Sequence, residues 1–271
     1  MDDPWIAEAL AALEPRAAEA VARASQNQWN ADNAPALAGT SRPDVQGLFE
    51  LEPREHAAPF IRMLAHPALL CRLHWMLGPG FSCHQNTAIC SERGTGGQQM
   101  HAGAGPGAEQ NLTPAGENNP QHLYAVRGHQ TFCNKVNVAW QLTDTGPSDG
   151  GFVSPPSTTN HGSLKRLRVL VMAAGGCAWQ SASDAPAAAQ HHRGRVHGGC
   201  RARADESRRR ASSPFFCPKR YSDTEGWLRC WQVLLFLGNA VTHGAQPWSS
   251  DRPRRVAMLD YLSAHVALGR L

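Results

Sequence analysis

The sequence predicts a mainly β fold with flanking helices, a β-sandwich or double-stranded β-helix, on three observations. Apolar residues recur at helical spacing through the first third of the chain and with a period of two after Gly80. Glycine and proline, 25 and 19 of 271 residues, make about 16% against a usual ~12%, which favours turns and argues against a helical bundle. Helices first and strands later describe a sheet structure with helical packing on one side.

The elements follow in order. Asp3-Pro4, then Ile6, Leu10 and Leu13, reads as a capped amphipathic helix that Pro15 kinks or ends. Residues 26–46 are polar and turn-rich and read as a loop. Helical spacing returns at Phe60, Ile61 and Leu64 and continues through Leu69, Leu70, Leu73, Met76 and Leu77, until Gly78-Pro79-Gly80 stops it. The clearest strand is Cys133 to Thr143. Val136, Val138, Trp140 and Leu142 fall on one face, and Asn137, Ala139 and Gln141 on the other. Asp144 to Gly151 is a turn cluster. Trp231 to Leu237 is a compact apolar strand, and Arg255 to Leu262 another, with Val256 and Met258 opposite Ala257, Leu259 and Tyr261.

Residues 154–230 follow no such pattern. They carry poor periodicity and a run of alanine and arginine. A structureless stretch of that length sits badly inside a compact domain. Either it is a long insertion or the reading frame is disturbed there.

Composition narrows the function. The net charge is +4, but residues 191–210 hold seven arginines against Asp205 and Glu206, so the rest of the chain is near neutral. No aromatic residues interleave with those arginines, which argues for a solvated loop over a nucleic-acid platform. No apolar run approaches the ~20 residues of a membrane span. Asp2 and Asp3 carry the wrong charge for a signal peptide, and a soluble, cytoplasmic protein is expected. The eight cysteines form no C-x-x-C pair and read as free thiols. His191, His192, His197, Cys200 and Cys217 fit no standard zinc spacing. The glycine-rich segments 94–97 and 103–107 lack the lysine of a phosphate loop.

Two histidines stand out among thirteen. His101 precedes Ala102-Gly103 at a strand end, and His243 precedes Gly244 just beyond the apolar strand 231–237. Singly, each reads as a loop or turn residue. Together, on separate strand ends, they are candidates to converge on one metal at the mouth of a β-barrel. Eleven residues after His243 comes Arg254, at the start of the return strand. A guanidinium there suits a bidentate carboxylate, so a metal-chelating 2-oxo acid with a distal carboxylate would use both groups. Arg255 points to the opposite face, and only one of the two can serve.

The segments Leu142-Thr143-Asp144, Gly150-Gly151-Phe152, Thr242-His243-Gly244, Pro247-Trp248 and Arg254-Arg255, in this order, resemble the phytanoyl-CoA dioxygenase family. The resemblance covers residues 48–153 and 231–269. It implies a double-stranded β-helix (jelly-roll, cupin-like) over residues 81–271, interrupted by a divergent or disordered insertion at 154–230, with the helical residues 1–80 packed against it. It further implies an Fe(II)- and 2-oxoglutarate-dependent dioxygenase that hydroxylates a small organic substrate and releases succinate and CO2. By the same resemblance His101 and His243 are iron ligands and Arg254 holds 2-oxoglutarate. Tyr124, Trp140 and Trp248 would lie near the pocket.

Two departures follow. The usual third ligand is an aspartate two residues after the first histidine, and that position is Gly103. Glu109 or Glu117 could fold back to replace it. Alternatively the open position holds water or halide, as in related halogenases, or the protein is a non-catalytic member that keeps the barrel as a binding scaffold. The second departure follows Phe152, where Val153-Ser154-Pro155-Pro156 replaces the family's Pro-Gly-Ser-His-Lys-like turn and strands of the barrel would be missing.

Overall fold

The computed structural model describes residues 4–30, 34–102, 124–127, 130–154, 170–173, 230 and 232–264. In chain order the elements are α1 (Pro4–Ala24), β1 (Gln28–Trp29), β2 (Gly39–Thr40), β3 (Asp44–Gln46), α2 (Ala58–Leu64), α3 (Pro67–Leu77), β4 (Ser82–Ser91), β5 (Gln98–His101), β6 (Tyr124–Arg127) and β7 (Gln130–Cys133). Then come β8 (Lys135–Gln141), β9 (Gly151–Val153), β10 (Leu170–Ala173), β11 (Gln232–Phe236), β12 (His243–Gln246) and β13 (Arg254–Leu262). Among the described residues no helix is long and apolar enough to cross a membrane.

Two antiparallel sheets position the site. The larger has six strands in the order β10-β11-β8-β13-β4-β3, and the smaller three in the order β5-β12-β9. Phe152 of β9 meets Phe236 of β11 with ring centroids 5.1 Å apart, so the sheets face one another. No strand pair joins the two sheets among the described residues.

The period-two reading of the strands matches the structure, because each central strand separates two environments. Val136, Val138 and Trp140 of β8 and Ala257, Leu259 and Tyr261 of β13 enter the main core. Helix α1 closes that core with Ile6, Ala9, Leu13, Ala17 and Ala20, and α2 and α3 add Phe60, Met63, Leu69 and Leu73. On the other face Ala139, Leu234, Phe236 and Val256 pack toward the smaller sheet.

The structure corrects four expectations here. Helix α1 does not end at Pro15 but runs through it to Ala24. Proline removes one backbone hydrogen bond, at about 3 kcal/mol. The small buried residues on both sides, from Ala9 to Ala20, keep one continuous face on the core and offset that loss. The helical pattern of 60–77 is divided, because Pro67 opens α3 and holds His66 in extended backbone at ψ 121°. Residues 26–46 are not only loop. They contain β1, β2 and β3, and Val45 of β3 pairs with Ala88 at the edge of the large sheet. Two- and three-residue strands carry too little periodicity to be read locally. Finally, pairing resumes inside 154–230, where β10 aligns Leu170 with Leu235 and Ala173 with Gln232. The rest of that stretch, including the arginine run and the His191–Cys217 cluster, lies outside the described residues.

Candidate metal and oxo-acid site

His101 and His243 are directly opposite one another on β5 and β12. Cross-strand partners put their side chains on one face, and the two rings lie 4.2 Å apart, centroid to centroid. Gly244 permits this approach, because a Cβ there would sit 2.7 Å from the Gln98 carbonyl oxygen. The ring nitrogens are ordered in the same way on both strands. His101 Nδ1 lies 2.8 Å from the carbonyl of Gln99, and His243 Nδ1 lies 2.8 Å from the carbonyl of Val241. A carbonyl only accepts, so Nδ1 carries a proton, and in the neutral imidazole the lone pair is then on Nε2. That is the state in which an imidazole binds a metal, with its other nitrogen anchored by the backbone.

Burial disfavours the charged form of His243 and lowers its pKa from 6.5 to about 4, with His101 and Lys135 adding repulsion. Phe236 packs edge-on to the His243 ring at 4.8 Å, and Phe152 stacks on it at 5.9 Å. These rings shield one side of the histidine from water.

Arg254 opens β13 and faces the same cavity, which has a volume of about 220 Å3 and is lined by both sheets. It is 6% exposed and forms no ion pair among the described residues, and its Nε has no hydrogen-bond partner. Burial and the nearby Arg42 lower its pKa to about 10, so it stays a cation at neutral pH. Arg42 is itself neutralised by Asp44 through two bonds of 2.9 and 2.8 Å. Gly151, at φ +91°, makes room for the guanidinium: a Cβ there would lie 3.1 Å from Arg254 Nε. An unpaired buried charge is costly, and the arrangement fits a carboxylate that enters from the cavity.

Arg255 faces the other way, as the strand alternation requires. It donates to Glu14 at 3.0 and 3.1 Å and to Glu92 at 2.6 Å, tying α1 to the sheet.

The cavity is graded from end to end. Arg254, Arg42, Gln98 and Gln141 occupy one end. Ile89 shares the rung of Gln141, and Ala139, Leu234 and Met258 on the next rung form an apolar middle. At the far end Lys135 pairs with Asp260 at 2.7 Å, and Asn137 donates to Asp260 at 2.9 Å. The alternation of 133–143 puts Asn137 and Gln141 on the face opposite Val136, Val138 and Trp140 and gives them no role. The visible signal was polarity on a strand whose other face is wholly apolar. The Lys135–Asp260 pair joins residues far apart in the chain, and no local pattern marks it.

Two expected pocket residues do not line the cavity. Trp140 is on the core face of β8, where its ring packs edge-on to Trp5 at 5.3 Å and near His66 at 5.5 Å. The one-residue alternation that sends Ala139 and Gln141 to the cavity sends Trp140 away. Trp248 is buried in the loop before β13, where its Nε1 donates to the Arg252 carbonyl at 2.7 Å. It shapes that loop and leaves the cavity wall to β12 and β13. Tyr124 lies on β6, outside the residues whose side chains are described. Gly103, Glu109 and Glu117 also lie outside the described residues. Among the described residues no group of three or more His, Cys, Asp or Glu side chains is placed to hold a metal.

No family model matches the chain, and no curated protein matches it. Among solved structures it is similar to apo HygX from Streptomyces hygroscopicus at 12% identity and a TM-score of 0.45, over 81% of this chain and 72% of that one. HygX with nickel and 2-oxoglutarate bound gives 13% identity and a TM-score of 0.43, over 82% and 70%. The epimerase SnoN in complex with Fe3+, alpha ketoglutarate and nogalamycin RO gives 13% identity and 0.46, over 97% and 76%.

Proposed function

We propose that this chain is an Fe(II)- and 2-oxoglutarate-dependent dioxygenase of the phytanoyl-CoA dioxygenase type, oxidising a small organic substrate. One observation carries the reading. Two cross-strand imidazoles with Nε2 lone pairs share a cavity with a buried arginine that has no acidic partner among the described residues.

The donor set fits the two groups. His101 and His243 would hold the metal through Nε2, and their Nδ1 contacts to Gln99 and Val241 fix each ring before the ion arrives. Arg254 would hold the distal carboxylate of 2-oxoglutarate. Its guanidinium supplies the charge, and among the described residues no carboxylate competes for it. The metal, when bound, supplies dioxygen activation, with 2-oxoglutarate oxidised to succinate and CO2 as the source of two electrons. The chain's own part is orientation and exclusion of water. Phe152, Phe236 and Met258 line the space around the histidines and keep it apolar. Arg254 lies beside Gly151, whose strand partner Gln246 is three residues along β12 from His243, which would leave length for an extended ligand between the histidines and the guanidinium.

The test is anaerobic titration of Fe(II) and 2-oxoglutarate into the full chain, followed by succinate release in air. Binding of both with succinate release supports the enzyme reading. Binding without succinate supports the non-catalytic scaffold. No binding by a folded chain overturns the site.

A further inference from the structure

The arginine end of the cavity holds a second buried polar group that the reading above leaves unused. Gln141 closes β8 on the cavity face and is 1% exposed. Neither its Nε2 nor its Oε1 has a hydrogen-bond partner among the described residues. Leaving such atoms unpaired is costly, and native proteins rarely do so without a reason. Its neighbours on the same rung cannot help. Val256 lies opposite on β13, and Ile89 is the next residue across, on β4; both are apolar. Gln98 is already engaged by Arg42. Ala245, across the cavity, has no polar side chain. The opposite end of the cavity is more nearly satisfied: Lys135 and the Asn137 amide nitrogen both bond Asp260, and of those three side chains only Asn137 Oδ1 lacks a partner among the described residues. The unpaired amide is thus found where the unpaired guanidinium is, two residues of β13 from Val256.

We infer that Gln141 is a positioning residue for the distal carboxylate of the 2-oxo acid, acting beside Arg254. The inference rests on the oxo-acid reading of the cavity. The chemistry fits on the donor side: the amide Nε2–H and the Arg254 Nε–H both donate, and a carboxylate oxygen accepts from either. A dicarboxylate entering this end would give both unpaired donors, Gln141 Nε2–H and Arg254 Nε–H, an acceptor. A ligand with no distal carboxylate would leave the amide as it is now.

The experiment compares wild type with Gln141→Leu and the near-isosteric Gln141→Met. Each is titrated anaerobically, in the presence of Fe(II), with 2-oxoglutarate and with 2-oxobutyrate, which lacks the distal carboxylate. Both variants should lose roughly tenfold or more in affinity for 2-oxoglutarate, the worth of a hydrogen bond to a charged group. They should bind 2-oxobutyrate as wild type does. The ligand-free variants should melt no lower than wild type, because an unpaired buried amide has been removed. Unchanged 2-oxoglutarate affinity overturns the role of Gln141 alone, and so does an equal loss for both acids. Failure of wild type to bind either acid overturns the oxo-acid reading as well.

Discussion

Arg254 and Arg255 are consecutive on one strand and nearly equally buried, at 6% and 3% exposure, yet among the described residues only Arg255 is paired with carboxylates. Alternation turns one guanidinium to the helix side and the other to the cavity. The two substitutions should therefore separate stability from binding. Arg255→Met strips α1 and β13 of their link through Glu14 and Glu92. It should cost about 1–3 kcal/mol in urea unfolding, less than a fully buried pair because both glutamates reach water. Arg254→Met should cost no stability and should weaken 2-oxoglutarate by about 1.5–3 kcal/mol in titration. Equal destabilisation by both would contradict this division.

The depressed pKa of His243 sets a pH dependence. Unfolded, the ring takes a proton near pH 6.5; folded, it does so near pH 4. Between those values the unfolded chain binds more protons, so stability falls as pH drops from about 6.5 to about 4. The groups facing the ring act in the same direction: His101 from β5 and Lys135 from β8 both repel its charge. His243→Gln should flatten that part of a melting-temperature profile measured without metal. An unchanged slope would assign the acid sensitivity elsewhere.

Gly151 should tolerate no side chain. Its φ of +91° strains any L residue, and the added Cβ would press on Arg254 Nε at 3.1 Å. Gly151→Ala should lose about 1–2 kcal/mol of stability and weaken 2-oxoglutarate binding in the same protein. Arg254→Met combined with Gly151→Ala should show no further loss of affinity, because both act on one contact.

The third metal ligand is open to a direct experiment. Gly103→Asp restores a carboxylate two residues beyond His101 and should tighten Fe(II) binding, while Glu109→Ala and Glu117→Ala leave it unchanged. Loss of iron on either alanine substitution would identify that glutamate as the ligand instead, and Gly103→Asp would then do little.

Much of the frame was legible before any coordinates. The alternation in 133–143 and 255–262 sorts the residues onto two faces, because a strand has a strict period of two, and the structure makes one face the core and the other the cavity. The same arithmetic separated Arg254 from Arg255. What eluded local reading was smaller or more distant. Strands β1 to β3 are too short to show a period, and β10 is four residues in a segment otherwise without pattern. Pro15 signalled a kink or an end to the helix, and with Ala9, Leu13 and Ala17 packed on the core the helix does not end there.

The residues alone thus establish which side chains share a face of each strand, since that depends only on backbone periodicity. They also place His101, His243 and Arg254 at strand ends. Register is a different matter. That His243 falls opposite His101, that Gln141 and Arg254 meet one cavity end unpaired, and that Trp140 packs on Trp5 away from the cavity were decided by how distant strands align. Pairing energy is shared among β-ladders that join residues more than a hundred positions apart, so no window of the chain contains the information that selects it.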